Sequence, residues 1–181
     1  MDHNLETIIA FLTRTPATLD ALVRDLPENW THSNEGDGTW SVFDVLGHLI
    51  HAERTDWLPR ANIILEYGEA RTFAPFDRSG HAQEIQGKSL AQLLDEFARV
   101  RSENLDKLRA KKLSPADLER SGRHPALGVV TLEQLLATWA AHDLTHLHQI
   151  SRIMAHQYRN AVGPWERYLG VMQCKGHSSS A

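Results

Sequence analysis

Among the 181 residues there is one cysteine, Cys174. An intrachain disulfide is therefore impossible and a thiolate zinc cluster is excluded, so a reducing, cytoplasmic setting is expected. No apolar run approaches the roughly 20 residues that span a bilayer, and Met1-Asp2-His3-Asn4 carries no basic region of the kind that opens a secretory signal. Positive charge is short as well. Lys and Arg number 19 against 23 Asp and Glu, giving −4 and a pI near 6.2, so the electrostatic footprint of a nucleic-acid binder is missing. Neither a nucleic acid nor a membrane is expected as partner. Strand signals are few and there is no internal repeat.

What is present is an ordinary globular balance, 41% hydrophobic and 23% charged, in a length that corresponds to one domain. That domain is expected over residues 1–172, with a flexible tail over 173–181. The 11 histidines are the compositional excess.

Four amphipathic patterns follow one another. Leu5, Ile8, Ile9, Leu12, Leu19, Leu22, Val23 and Leu26 repeat at helical spacing, with Pro16 either kinking the helix or capping a restart. Ser41-Val42-Phe43-Asp44 has the form of a capping box. Behind it the stripe Val42, Val45, Leu46, Leu49 and Ile50 runs on towards Leu65, with a kink expected at Pro59. Residues 68–88, with Gly68, Pro75, Gly80 and Gly87, read as a long loop. A third helix is predicted from Ser89 to about Leu108, and Ser114-Pro115-Ala116-Asp117 suits a single turn. Residues 122–130 read as a loop with room for a brief hairpin. Thr131-Leu132-Glu133-Gln134 then caps a fourth helix reaching about Gln157, and Gly163-Pro164-Trp165 opens a short terminal segment. Four such helices predict an all-α, up-and-down four-helix bundle.

His142 and His146 are four apart on the fourth helix and share one face, with Cβ atoms about 5–6 Å apart. Two imidazoles so placed can hold one metal ion, and a third ligand is wanted for a catalytic metal. His48 is a candidate, mid-way along the second apolar stripe beside Gly47. His51, three residues on, is its rival, and periodicity alone does not decide between them. Dinuclear carboxylate sites need Glu-x-x-His, and no Glu here has a His three residues later. His142-Asp143-Leu144-Thr145-His146 approaches the zincin motif, but Asp is one methylene shorter than the Glu that motif uses as base. His148 and His156 fall off the shared face. His3, His32, His81, His124 and His177 lie in termini or loops and are assigned no role. Trp139, one turn before His142, could wall a pocket. Nothing orients a base towards Cys174, which is not read as a nucleophile.

Trp40-Ser41, Gly47-His48-Leu49, Asp56-Trp57, His142-Asp143-Leu144-Thr145-His146, Gln149-Ile150 and Gly163-Pro164-Trp165, in that order and separation, resemble the DinB-like (DinB/YfiT) family of metalloenzymes. The resemblance covers roughly residues 5–169. It implies a four-helix bundle, usually a homodimer, with a divalent metal such as nickel or zinc held by three histidines, here His48, His142 and His146. It also implies kinship with transferases that use a small thiol, namely bacillithiol, mycothiol or glutathione.

Three neutral imidazoles leave metal positions open for water or substrate, and cannot by themselves choose among Zn, Ni, Cu and Fe. Ligand histidines need acceptors for their second N–H; Asp44 and Gln149 are candidates by proximity. Asp56 is the candidate general base. Three functions are compatible with a small-molecule partner: a thiol-dependent transferase, favoured on the resemblance alone; a hydrolase using a metal-bound hydroxide; and a non-catalytic metal-binding dimer.

Overall fold

The computed structural model describes residues 4–174. His3, His177 and the greater part of the expected tail, residues 175–181, lie outside the described residues. Ten α-helices and one hairpin are seen there. The first rod is α1 (Leu5–Leu12) with α2 (Thr15–Val23). Its break follows from Pro16, which sits in the first turn of α2, where its missing N–H leaves no helical bond unmade. A short α3 (Glu28–His32), not foreseen from the sequence, follows.

The second rod is α4 (Val42–Thr55) with α5 (Trp57–Tyr67). Ser41 Oγ accepts from the Asp44 N–H while Asp44 accepts from the Ser41 N–H, the expected capping box. The helix breaks at Asp56 (φ −109°, ψ −70°) rather than at Pro59. A proline cannot donate to the carbonyl four residues back, and its ring presses on that carbonyl. Strain at Pro59 therefore appears upstream, beside Thr55.

Residues 68–88 are less irregular than expected, because a one-turn helix α6 (His81–Ile85) packs on α4. Gly47 makes the seat: a Cβ there would lie 2.4 Å from Ile85 Cγ2 and 3.0 Å from the His81 carbonyl oxygen. The third rod is α7 (Leu90–Ala110), capped by Ser89 and Gln92. The single turn α8 (Pro115–Leu118) leads into the hairpin β1 (Ser121–His124) and β2 (Gly128–Thr131), whose register pairs Ser121 with Thr131 and His124 with Gly128. The fourth rod is α9 (Leu132–His156), capped by Thr131 and Gln134. A 3-10 turn (Gly163–Tyr168) and α10 (Gly170–Gln173) end the described chain.

The rods bury two apolar clusters. One gathers Ile8, Leu12, Trp57, Ile64, Leu108, Leu132 and Trp139, and the other Leu19, Val23, Leu46, Ile50, Phe97, Ile150 and Ile153. The first and fourth rods run from the former to the latter, and the second and third run back. The 68–88 segment is therefore a crossover that returns the chain to the start of α7.

A polar layer separates the clusters. Arg101, only 1% exposed, donates to both oxygens of Asp143 (2.6 and 2.9 Å), to Glu53 Oε1 (2.9 Å) and to the Leu12 carbonyl (2.9 Å). Asn104 and Trp139 donate to the remaining lone pairs of Glu53. Buried charges survive only when so paired, and this set ties all four rods at mid-height.

Candidate metal centre

His48 lies on α4 between residues of the second cluster, and His142 and His146 lie one turn apart on α9. The structure brings the three rings together. His48 Nε2 is 3.0 Å from His142 Nε2, which is 3.0 Å from His146 Nε2, and one nitrogen from each ring falls within 4.8 Å of the others. Two nitrogens on a cation at about 2.1 Å lie roughly 3.0–3.4 Å apart between octahedral and tetrahedral angles, so the spacing suits a shared ion.

The proton count points the same way. Gln149 Oε1 faces His146 Nδ1 at 2.8 Å, which sets the proton on Nδ1 and leaves a lone pair on Nε2. His142 Nε2 has at most one hydrogen, so it cannot satisfy close contacts to both neighbours with neutral rings. One nitrogen–nitrogen contact stays unmatched, and a cation at the centre would match all three. The rings are neutral, as metal ligation requires. Burial pushes His48 down to about 3, with the neighbouring His146 and His81 adding to the shift. Burial likewise holds His142 well below the usual histidine range, reinforced by His146 and His48. It also lowers His146, against the opposing bond to Gln149 and the nearby Asp143.

His51 is not in this group. Its ring turns under α6, where a Cβ on Gly80 would meet it at 2.2 Å, and its Nδ1 lies 3.8 Å from Glu84 Oε1. Asp44 does not support a ligand either; its carboxylate is spent on the Ser41 N–H and hydroxyl. Gln149 does make such a contact. Asp143, the shorter counterpart of the zincin base, points away from the rings because one residue is 100° of helix, and it is locked on Arg101. Trp139 is fully buried, with its N–H on Glu53, and does not line the cavity beside the imidazoles.

Its neighbour Trp57, stacked on it at 5.8 Å, takes that part and meets His142 edge-on at 5.0 Å. Trp40 lies 5.0 Å from His48, and Phe76 is edge-on to His48 at 5.5 Å. His81, given no role from the sequence, packs on Trp40 at 4.8 Å. The Trp40-Ser41 and Asp56-Trp57 motifs were the available signals for two of these aromatics. Phe76 and His81 had none, since they reach the site only through the folding of the crossover.

The imidazoles open on a cavity of about 480 Å³ lined also by Asp56, Arg60, Phe73, Arg78 and, from the hairpin, His124 and Leu127. Asp56 is buried, and burial raises its carboxyl above the usual range although Arg60 Nε, 2.6 Å away, opposes the shift. Among the described residues no helix is long and apolar enough to cross a membrane.

A family model described as the DinB superfamily matches residues 12–150. Among solved structures, YfiT from Bacillus subtilis, described as "a probable metal-dependent hydrolase with an unusual four-helix bundle topology", superposes with a TM-score of 0.70 at 22% identity, covering 86% of this chain and 87% of that one. No curated protein matches.

Proposed function

Because the chain belongs to the DinB superfamily, we propose that it is a divalent-metal-dependent hydrolase of a small molecule, with His48, His142 and His146 as the metal ligands. The observation that carries this reading is the meeting of three neutral imidazole nitrogens on the wall of a cavity, with His142 Nε2 3.0 Å from Nε2 of each of the other two. The description of YfiT supports the same reaction class. An all-imidazole donor set suits zinc or nickel. A divalent cation held there supplies Lewis acidity, the property that acidifies water and polarises a carbonyl.

The chain's own residues do the rest. Gln149 fixes the His146 tautomer. Trp40, Trp57 and Phe76 hold the rings and keep bulk water from their flanks, which strengthens electrostatics inside the site. Asp56 is the carboxyl group on the same cavity that can accept a proton. Every residue in this reading comes from one chain, so a homodimer is not required by it. Transfer with a small thiol is an expectation of the resemblance, and no side chain at the site favours it over hydrolysis.

Elemental analysis of the purified protein is the test. About one divalent ion per chain is expected, lost in His142→Ala while helical circular dichroism is retained. Equal metal in both proteins overturns the ligand assignment. Metal-dependent turnover of esters or amides should need no added thiol, and a strict thiol requirement overturns the hydrolase reading.

A further inference from the structure

The cavity beside the imidazoles, about 480 Å³, has the ordinary size of a small-molecule site, and its two arginines are already engaged. Arg60 Nε lies 2.6 Å from Asp56 Oδ1, and Arg78 has an interaction of its own. The informative groups are the neutral ones, His124 on β1 and Gln134, Thr138 and Thr145 on α9, all of which line the cavity. The backbone holds one end of each, and that decides what the other end offers.

His124 Nδ1 accepts the backbone N–H groups of Ala126 (3.1 Å) and Leu127 (3.2 Å) in the hairpin turn. A ring nitrogen that accepts carries no proton, so the proton of the neutral imidazole is on Nε2. A second proton would break both turn bonds. Burial and the nearby Arg60 also hold His124 below the usual histidine range. The ring, edge-on to Phe73 at 6.2 Å, is thus a fixed neutral donor. Gln134 Oε1 accepts the Thr131 N–H at 2.9 Å, so the end it has left to offer is the amide nitrogen. The two threonines are the reverse. Thr138 Oγ donates to the Gln134 carbonyl (2.7 Å) and Thr145 Oγ to the Ala141 carbonyl (3.0 Å), so each hydroxyl presents lone pairs. Gln134, Thr138 and His142 follow at four-residue spacing on one face of α9. Gln134 precedes His142 by eight residues (142 − 134), about 12 Å of helix.

We infer that the hairpin side of the cavity is a donor subsite, where His124 Nε2–H and the Gln134 amide bind oxygen acceptors of the substrate, with Thr138 and Thr145 as acceptors nearer the metal centre. The inference rests on the functional reading above in taking this cavity as the substrate's, and it names the substrate class. That class is an acyl compound carrying a second oxygen acceptor roughly two helical turns from the bond to be cleaved. A substrate apolar along its whole length would leave these N–H groups unpaired on binding.

Two substitutions remove the donors and keep the backbone bonds. In His124→Asp a carboxylate can accept the same turn N–H groups, and in Gln134→Glu the usual acid of a capping box takes its place. The native protein, each variant and the double variant, as purified and after chelation, are titrated with 4-phenyl-2-butanone, an acceptor without a donor. Calorimetry reads affinity and NMR of the histidine side chains reads the rings. In the native protein His124 is expected as a neutral Nε2–H ring whose signals shift as the ketone binds. His124→Asp should weaken the ketone about two- to tenfold, the worth of one hydrogen bond, and the double variant should weaken it further. The 4-phenyl-2-butylammonium ion, which has no lone pair, should bind the double variant as well as the native protein or better. A His124 ring protonated on Nδ1, a ketone that does not bind, a ketone affinity unchanged in the double variant, or an equal loss of both ligands overturns the proposal. The readings are made with and without metal, so their failure is distinct from that of the metal assignment. A protein that holds stoichiometric metal but fails them sinks this inference alone, and one that passes them but binds no metal sinks the metal reading alone.

Discussion

At the residue scale, the side chain that decides the character of the centre is Gln149. It is 3% exposed, and its Oε1 receives the proton of His146 Nδ1, while its Nε2 has no hydrogen-bond partner among the described residues. One end of the amide therefore orients a ring, and the other end carries an unmet desolvation cost. Gln149→Leu removes both. Its stability in the metal-free state should change by no more than about 1 kcal/mol, because lost orientation and relieved desolvation oppose each other. Metal affinity should fall about 10- to 100-fold, the usual effect of removing the partner of a ligating histidine. Competition against a chromophoric chelator reads the affinity and urea unfolding reads the stability. An unchanged affinity would show that Gln149 does not set the tautomer. Helical spacing made the pair His142 and His146 readable in advance, and Gln149 with them. It did not separate His48 from His51, because residues three apart share a face and both rings are covered. What parts them is α6, which draws His51 away, and that contact has no trace in local periodicity. The partners of Arg101 were hidden for a related reason. A charged residue on an amphipathic helix reads as solvated, and only the packed bundle shows that Glu53 and Asp143 meet it in the core.

At the element scale, the caps Ser41, Ser89 and Thr131 gave the starts of α4, α7 and α9, and the stripes gave the ends of α7 and α9 closely, whereas α4 stops at Thr55, ahead of the kink expected at Pro59. The crossover was unreadable in the same terms. Helix α6 is a single turn, too short to show a period, and its stability comes from its seat on α4 and from ion pairs. Glu84 reaches Arg54 and His51, and Arg54 and Lys88 meet on Glu96. The seat is Gly47, and it yields a prediction against the usual sign. Alanine in place of glycine within a helix ordinarily stabilises by about 1 kcal/mol. Here the new methyl would stand 2.4 Å from Ile85 Cγ2 and 3.0 Å from the backbone oxygen of His81. Ile85 can turn aside, but the carbonyl moves only if α6 moves, and overpacking costs about 1–3 kcal/mol. Gly47→Ala should thus be net destabilising, with a lower urea midpoint and an unchanged slope. It should also loosen Trp40 and Phe76 against the rings, visible as a red shift and broadening of tryptophan emission. A more stable variant would mean that α6 is not seated on this glycine.

At the scale of the whole molecule, the three imidazoles bridge rods that run in opposite directions between the two apolar clusters. His48 belongs to the second rod and His142 and His146 to the fourth, at the same mid-height as the buried Arg101 set. A cation on them would therefore cross-link α4 to α9, which the chain otherwise joins only through 76 residues (132 − 55 − 1). In a domain that unfolds as one unit, such a link stabilises every element, since unfolding must release the ion. Free metal at 100 times its dissociation constant adds about 2.7 kcal/mol. A chain of this length shifts its midpoint roughly 2–4 °C per kcal/mol. Metal loading should thus raise Tm by about 5–11 °C. Chelator should reverse the rise, and His48→Ala and His142→Ala should each abolish it. Binding of the ion to other histidines in the unfolded chain would lower the gain, so the slope of Tm against metal concentration is the stronger reading. A slope equal in wild type and in His48→Ala would place the ion on one helix, off the bridge between the two rods.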